Sequence, residues 1–411
     1  MELDDDQLKA VDACCNLDNR IVAITGCAGT GKTSIMQQVY EKLHNQDISV
    51  ALCAPTGKAA KRITEATGLS AQTQHRLLEY PHPGDKDAKT GKPLRTTEPA
   101  RCRRYPLTYQ VVLADEYTMC NSEVHRNLLD ALPSGGCIRM FGDANQLQPI
   151  EPTKKLQEQP SPFNLMLDKF HGITLHKIHR QAENSSIITN GRLITLGQMP
   201  RRTEEFNLKI TENPVEEILG IVLDGEVDYG ITTNQIISPV NVGWTGTVAL
   251  NTQIQLLMHP SSKPYVELER HKWSKQECLR IYVGDKIIFT SNNYALEIFN
   301  GESGIVTEAS DLGTVRIDFG DKEVDVPLAM EVETRSGTAI VNPQMDIELA
   351  YVITTHKSQG SEYDNVIYVI NRSRAFNLNR KNFYTATSRA KKKVTVVTDQ
   401  KGLSLSLYKK G

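Results

Sequence analysis

Four short, largely apolar runs punctuate the first part of the chain: Arg20–Thr25, Val50–Ala54, Gln110–Ala114 and Cys137–Phe141. Helix-length stretches such as Ser34–Leu43 separate them. Runs that are apolar at nearly every position, rather than at alternate ones, belong to strands buried on both faces. Strands alternating with helices build a parallel sheet. Ligands of such sheets bind beyond the carboxyl ends of the strands, and all four runs end in candidate chemical residues. The same character returns from His171 to about Pro260. It then gives way, up to about Met345, to shorter strands with turns between them. Lys286–Thr290, Gly304–Thr307, Thr314–Phe319 and Glu323–Val326 are such strands, with Asn300-Gly301 and Gly320-Asp321 as turn signals. This predicts a small β-barrel insert. Leu349–Thr355 and Asn365–Ile370 resume the buried-strand style, and Lys393–Thr398 closes the chain.

Tyr80–Tyr105 breaks the pattern. It holds Pro81, Pro83, Gly84, Gly91, Pro93 and Pro99, and its seven basic residues outnumber its three acids, Asp85, Asp87 and Glu98. It reads as an exposed insertion turning near Thr90-Gly91, either a solvated loop or a nucleic-acid contact. The whole chain has 411 residues, 39% apolar and 23% charged, which excludes a mostly disordered protein and suggests two or three domains. No apolar run approaches the ~18 residues of a membrane span. The acidic start, Met1 to Asp6, lacks the basic then apolar pattern of a secretory signal, so a cytosolic protein is expected. A net charge of -2 gives no bulk attraction to nucleic acid, so any such contact needs local patches. The eight cysteines form no C-x-x-C pair and are expected to be reduced, without zinc.

Gly26-Cys27-Ala28-Gly29-Thr30-Gly31-Lys32-Thr33 fits G-x-x-x-x-G-K-[ST] between a strand and a helix that begins near Ser34. Glycines let backbone N–H groups wrap phosphates, and the helix N-terminus adds partial positive charge. Lys32 is placed to reach the β- and γ-phosphates of ATP, and Thr33 to hold Mg²⁺. The strand Val111–Ala114 delivers Asp115 and Glu116 to its carboxyl end. Asp115 is the second Mg²⁺ candidate, and Glu116 the general base for an attacking water. Gly142-Asp143-Ala144-Asn145-Gln146-Leu147-Gln148-Pro149 follows another strand, so Asp143 and Gln146 are candidates for the γ-phosphate side.

With these three segments the chain resembles a superfamily 1 helicase. Gly142–Pro149 is similar to that family's third motif. Ala54–Ala60 is similar to motif Ia, Thr73–Leu78 to motif Ib, and Arg180 with Ser185-Ser186-Ile187 to motif IV. Thr355–Glu362 is similar to motif V and Tyr384–Lys391 to motif VI. The H-K-S-Q-G-S-E form of motif V resembles the RecD/Dda group, which moves 5′→3′. Val283–Lys286 and Phe299–Gly304 resemble that group's barrel insert, and 81–106 sits where it carries a strand-separating pin. The resemblance implies an α/β protein of two RecA-like parallel-sheet domains. The first (1–80 and 107–170) carries the pin-like insertion 81–106. The second (171–260 and 346–411) carries a small SH3-like β-barrel at 261–345. Tyr117-Thr118-Met119 after the acids, Ser388 in motif VI and a pin without an aromatic at its tip depart from the family pattern.

By the same resemblance Arg180 and Arg389 reach the γ-phosphate, Gln146 senses it, Gln7 reads adenine and Glu362 meets the ribose. A planar, permanently charged guanidinium suits phosphate oxygens. Pro55, Thr56, His75, Thr355, His356 and Lys357 are the candidate contacts to single-stranded DNA, made without sequence code. Lys391-Lys392-Lys393 reads as a solvated face, and His75 and His356 equally suit structural roles. The implied activity is an ATP- and Mg²⁺-dependent DNA helicase acting on single-stranded and forked DNA. A monomer is expected, with replication or recombination proteins as partners. A non-unwinding translocase or clamp subunit and an RNA helicase remain alternatives.

Overall fold

The computed structural model describes residues 3–81, 98–178, 185–225, 230–259, 265–270, 278–310, 313–334 and 337–409. The body of the expected pin, its turn near Thr90 and Arg180 lie outside the described residues. The chain divides into two compact units, Met1–Glu183 with Glu333–Gly337, and Asn184–Val332 with Thr338–Gly411.

The first unit runs α1 (Asp5–Cys15), β1 (Ile21–Thr25), α2 (Lys32–His44), β2 (Val50–Ala54), α3 (Gly57–Thr67), β3 (Ala71–Thr73), α4 (Gln74–Leu77), β4 (Val111–Ala114), α5 (Ser122–Ala131), β5 (Cys137–Gly142), α6 (Lys154–Gln157), α7 (Pro162–Lys169) and β6 (His171–Thr174). The six strands form one parallel sheet in the order β3-β2-β4-β5-β1-β6. Successive residues of each strand bury on opposite faces. Val22, Ile24, Leu52, Val111, Leu113 and Phe141 pack on one side with Ile35, Met36 and Ile63 of the helices. Ala23, Ala51, Cys53, Val112, Ile138 and Met140 pack on the other with Val124, Leu128 and Phe163. This two-sided burial is why the runs carry no polar alternation.

One charged side chain lies inside this core. Arg139 of β5 is wholly buried. Its Nε donates to the Cys14 carbonyl at 2.7 Å, Nη1 to Asn19 at 2.6 Å and Ile138 at 3.2 Å, and Nη2 to Asn16 at 3.0 Å. Three of these acceptors lie at or just past the end of α1, where free carbonyls and the helix dipole favour a cation.

The second unit runs α8 (Ser186–Thr195), β7 (Phe206–Ile210), α9 (Pro214–Leu223), β8 (Asn234–Ser238) and α10 (Thr247–Met258). Short strands follow: β9 (Val266–Glu269), β10 (Cys278–Ile281), β11 (Lys286–Phe289), β12 (Ser303–Ala309), β13 (Val315–Asp318), β14 (Glu323–Val326), β15 (Met330–Thr334), β16 (Gly337–Val341) and β17 (Ile347–Leu349). It ends with β18 (Val352–Thr354), α11 (Thr355–Ser358), β19 (Tyr363–Ile370), α12 (Arg380–Thr387), β20 (Ala390–Thr398) and α13 (Gln400–Tyr408). Its main sheet is again parallel, in the order β18-β8-β19-β20-β7.

The inserted strands build a separate antiparallel sheet, β14-β13-β12-β11-β17, with its own core of Leu268, Ile281, Ile287, Phe289, Val306, Ile317 and Ile347. Among the described residues no ladder joins its edge strands β14 and β17 into a closed barrel. Two differences from the sequence reading stand out. Leu349–Thr355 is two strands, β17 in the inserted sheet and β18 in the parallel one. Nor does β20 end the chain: α13 follows, capped by Asp399, whose Oδ1 accepts from Gly402 N at 2.9 Å.

A buried carboxylate fastens the insert. Asp285, wholly buried at the start of β11, accepts from Tyr351 Oη at 2.7 Å, Gln255 Nε2 at 2.6 Å and Tyr282 N at 2.8 Å. His259 Nε2 lies 3.0 Å away. These partners come from the end of α10, the turn before β11 and the β17–β18 junction, so the points where the chain leaves and rejoins the parallel sheet share one anchor.

Removing a buried donor group leaves its acceptors without partners, which costs roughly 1–3 kcal/mol per group before relaxation and water entry. Arg139→Met, which keeps much of the stem volume, is expected to destabilise the first unit by about 2–4 kcal/mol. A urea titration followed by circular dichroism reads this as a lower midpoint. An unchanged midpoint would show that the guanidinium contributes nothing to folding.

Candidate functional site

The order β4-β5-β1 sets three carboxyl ends side by side. The phosphate-type loop leaves β1, Gly142-Asp143 leaves β5, and Asp115-Glu116 leaves β4. Thr25 is in register with Gly142, and Gly26 N donates to the Gly142 carbonyl at 3.1 Å. Ala144 N donates to Thr25 Oγ1 at 3.0 Å. The first two loops are therefore stitched together at their roots. Thr25 was not singled out by the sequence reading. Its signal, a hydroxyl at the last strand position before the glycine, is common.

The loop needs its glycines. Gly29 and Gly31 have φ of 86° and 83°, in the left-handed region that side chains avoid. A Cβ on Gly26 would lie 2.4 Å from Thr30 Oγ1, and one on Gly31 would lie 2.4 Å from Gln7 Nε2. Thr30 is wholly buried and its hydroxyl donates to the Cys27 carbonyl at 2.9 Å. Cys27, Ala28, Gly29, Lys32, Thr33 and Ser34 are half-buried around the mouth of the loop. Lys32 Nζ donates to the carbonyls of Gly26, at 2.6 Å, and Cys27, at 3.1 Å. Its ammonium is thus held inside the loop, where an anion's oxygens would compete for it.

Gln7, expected to face adenine, is buried and largely engaged. Its Oε1 accepts from Asp4 N at 3.1 Å while Asp4 Oδ1 accepts from Gln7 N at 2.9 Å, a reciprocal cap on α1. Its Nε2 donates to the Thr30 carbonyl at 3.1 Å, holding the loop from behind. One N–H and one lone pair of the amide remain outside these bonds.

Asp115 and Glu116 are half-buried. Asp115 Oδ1 accepts from Glu116 N at 2.8 Å, and Glu116 sits at φ 48°, strained for a residue with a side chain. Burial, then the Glu116 carboxylate, push Asp115 up to about 6, with Lys32 and Arg62 pulling the other way. Arg62, on α3, is a second residue the sequence reading missed. Gln146 is buried in the loop that follows β5, and its Oε1 has no hydrogen-bond partner. An orphaned amide oxygen, assigned in this orientation, suits a water or another donor brought in by a ligand. Two neighbouring carboxylates, a captive ammonium and an amide oxygen without a partner fit a polyanion with its counter-cation, and so fit a nucleoside triphosphate. Tyr117, a departure from the family pattern, fills the core and shares a 2.9 Å hydrogen bond with His125 Nδ1.

In the second unit Arg389 is buried. Its Nε donates to the Thr385 carbonyl at 3.2 Å, and Nη2 donates to Ser388 Oγ at 3.1 Å. Ser388, another of the departures, therefore steadies it. Glu362 Oε2 lies 3.5 Å from Lys391 Nζ, and Lys392 Nζ donates to Asp364 Oδ2 at 2.8 Å, so two lysines of the expected solvated face are paired.

Of the candidate DNA contacts, Pro55 and Thr56 are half-buried past β2, and Thr56 Oγ1 caps α3. His75 is exposed with its ring 4.7 Å from Tyr80. His356 and Lys357 follow β18. Burial holds His356 below its usual pKa, and Lys357 Nζ donates to Glu348 Oε2 at 2.5 Å. Thr355 departs from expectation. Its side chain is wholly buried and its hydroxyl donates to Asn382 Oδ1 at 2.6 Å, so it fixes α11 to α12 instead of facing outward. Among the described residues no group of three or more His, Cys, Asp or Glu gathers as a metal site, and no helix is long and apolar enough to cross a membrane.

A glycine loop on a captive lysine, paired acids and a polar strand end, all at one edge of a parallel sheet, define a P-loop nucleotide-binding protein. The chain belongs to the AAA domain family, which it matches over residues 2–211. Residues 349–397 match the UvrD-like helicase C-terminal domain. The ATP-dependent RecD2 DNA helicase of Deinococcus radiodurans is 29% identical over 390 residues, 95% of this chain and 48% of that protein. The chain thus spans about half the length of that relative. The RecBCD enzyme subunit RecD of Mycolicibacterium smegmatis is 28% identical over 425 residues, 93% of this chain and 69% of the subunit. Among solved structures, Pif1 helicase from Bacteroides with ADP-AlF3 and single-stranded DNA aligns with a TM-score of 0.63. It is 20% identical and covers 99% of this chain and 94% of that one. Pif1 from Candida albicans aligns at 0.58 and 18%, covering 98% of each chain. The RecD-like superfamily 1 resemblance and the two RecA-like folds are borne out.

Because the folded, ligand-free chain holds the Asp115 proton more tightly than the unfolded chain, this group lowers stability as pH rises from about 4 through 6, and the loss is complete above. Asp115→Asn removes it. The expected result is a thermal midpoint above the wild type's at pH 7.5 without ligand, with the gain fading towards pH 4. An Asn variant that melts lower than wild type at pH 7.5 would contradict this electrostatic reading.

Proposed function

We infer that this chain is an ATP-dependent DNA helicase of superfamily 1 that moves 5′→3′ along single-stranded DNA and separates duplex ahead of it. The observation that carries the reading is the edge formed by β4, β5 and β1, which carries the phosphate loop, Asp115-Glu116 and the unpartnered Gln146 amide oxygen. RecD and Pif1 helicases are its relatives and fold neighbours.

In this reading the two parallel-sheet regions are 1–80 with 107–170, and 171–260 with 346–411. The inserts at 81–106 and 261–345 are a pin and a barrel. The loop Gly26–Ser34 wraps the phosphates. Lys32 leaves its carbonyls to neutralise them. Thr33 and Asp115 hold Mg²⁺, which when bound spreads charge off the terminal phosphates. A cation beside Asp115 also answers the two-carboxylate repulsion found there. Glu116, held in its strained turn, takes the proton of the attacking water, and Gln146 orients that water or the terminal phosphate. Arg389 and Arg180 supply the guanidinium charge. Gln7 offers its remaining N–H and lone pair to adenine, and Glu362 meets the ribose. Pro55, Thr56, His75, His356 and Lys357 hold the DNA backbone. The RecD relatives are subunits of a larger enzyme, which favours as second reading a translocase that separates strands only with partners.

Two measurements test this. Lys32→Ala should lose at least a hundredfold in DNA-stimulated ATPase while its circular dichroism stays that of the wild type, and full activity would remove the assignment. The purified chain with ATP and Mg²⁺ should open a duplex bearing a 5′ single-stranded tail and leave the matched 3′-tailed duplex closed. Opening only the 3′-tailed duplex would reverse the polarity. Opening neither, with ATPase still stimulated by DNA, would favour the partner-dependent reading.

A further inference from the structure

Charge is unevenly placed along this chain. Residues 365–411 hold eleven basic residues against one acid, Asp399, although the whole chain has a net charge of -2. Asp399 is buried, and its two oxygens accept from Gly402 N and Arg372 N. Residues 186–203, which make α8 and the turn after it, add Arg192, Arg201 and Arg202 and no acid. α12 packs against both α8 and α13, so these basic segments share one helical layer over the second sheet. Part of the charge is answered. Arg372 lies 3.8 Å from Glu212, Lys391 3.5 Å from Glu362 and Lys392 2.8 Å from Asp364. Among the described residues no acid pairs with Arg201, Arg202, Lys381 or Lys401. Burial holds the Lys381 ammonium below its ordinary pKa, with no carboxylate opposing it.

Apolar side chains stand out in water within the same layer. Leu196 is 66% exposed, Met199 49%, Phe376 90% and Tyr408 83%. Arg380 gathers them. Its Nε donates to the Leu407 carbonyl at 2.5 Å, its Nη2 to the Tyr408 carbonyl at 3.4 Å and its backbone N to the Lys409 carbonyl at 2.9 Å. Gly197 has a φ of 74°, and a Cβ there would lie 2.3 Å from Arg380 Nη2. The guanidinium therefore rests on the turn that ends α8, between Leu196 and Met199. Lys409 Nζ donates to the Ala375 carbonyl at 2.6 Å, which brings Phe376 to the same end of α13. Neutral carbonyls position Arg380 and Lys409 without cancelling their charge, and Arg380 Nη1 makes no hydrogen bond within the protein. Lys401, Ser404 and Tyr408, at i, i+3 and i+7, form the exposed stripe of α13.

We propose that the ends of α8 and α13, with Arg380 between them, form a docking surface for an acidic segment of another protein, one that carries bulky apolar side chains among its carboxylates. An apolar patch rimmed by charge marks a protein contact, and an arginine set among aromatic and aliphatic side chains is the composition of an interface centre. The acid-free rim selects a negative partner, whose carboxylates can accept from Arg380 Nη1 and face Lys381 and Lys401. Because backbone already fixes Arg380, little further ordering is needed when the partner arrives. Nucleic acid suits the place less. Leu196 and Met199 offer no ring for a base to stack on. Tyr408 also lies a helix length, about 12 Å, beyond the end of β20, whereas ligands of parallel sheets gather at the strand ends.

The probe is a fluorescein-labelled peptide, Asp-Leu-Glu-Phe-Asp-Leu, titrated with the full chain and read by anisotropy. The wild type should bind it, more weakly as salt rises. It should bind Asn-Leu-Gln-Phe-Asn-Leu, which lacks the charge, and Asp-Ser-Glu-Ser-Asp-Ser, which lacks the apolar groups, at least roughly tenfold less tightly. Leu196→Ser, Tyr408→Ala and Lys401→Glu should each weaken binding of the first peptide roughly tenfold, while DNA-independent ATPase stays as it is. No binding by the wild type, equal binding of the three peptides, or equal affinity in the wild type and all three variants overturns the surface. Two further outcomes would give it a different occupant and so also overturn the proposal. One is displacement of the peptide by oligo(dT), with oligo(dT) binding weakened by the same variants. The other is self-association in analytical ultracentrifugation that Tyr408→Ala abolishes.

Discussion

A guanidinium taken out of water demands acceptors, and in this protein that demand organises the nucleotide end of the molecule. Arg139 draws the last carbonyls of α1 onto β5. At the other end of the same helix, Gln7 holds the Thr30 carbonyl of the phosphate loop. One helix is therefore clamped at both ends, and the loop takes its position from β5. That strand also delivers Asp143 and Gln146, so both sides of the phosphate site refer to one backbone. A small error in the loop would otherwise matter greatly, because catalysis by positioned charge is sensitive to displacements of about 1 Å.

Much of this was legible in the residues. Strands sandwiched between helices have no wet face, so they appear as unbroken apolar runs, and five of the predicted runs match strands to within a residue or two. The phosphate loop is legible because few residues other than glycine tolerate its positive φ. What escaped is what depends on direction. Thr355 carries the hydroxyl a DNA contact would use, yet the single turn of α11 aims it at Asn382. Gln7 has the right amide, but the reciprocal cap with Asp4 claims much of it first. The tail Gly402–Leu407 alternates leucine and serine like a strand. Its Asp399 cap and the burial of Leu403 and Leu407, four apart, make it a helix.

The second unit solves a different problem, carrying a whole extra sheet without loosening the first. Asp285 meets this by accepting from both ends of the excursion. Asn251 adds to it, with Nδ2 donating to the Leu349 and Val352 carbonyls at 3.2 and 2.8 Å, and Oδ1 accepting from Val352 N at 2.8 Å. Asn251 is tolerable this deep because its bonds satisfy backbone that the strand switch from β17 to β18 would leave bare, and Asp285 because its oxygens are fully partnered.

The ladder β7–β20, which pairs Phe206 with Val394, has a consequence for synthesis. The first sheet is complete once Thr174 has left the ribosome. The second cannot close until nearly the last strand emerges, so β7 waits with an open edge through the making of the entire insert. Nascent chains fold in order of availability, and unpaired edges are where they associate wrongly. The nucleotide-binding half of this molecule is thus born first and safely. The half that carries Arg389 spends its longest exposure unfinished, and it is there that a chaperone or a slowed stretch of translation has most to protect.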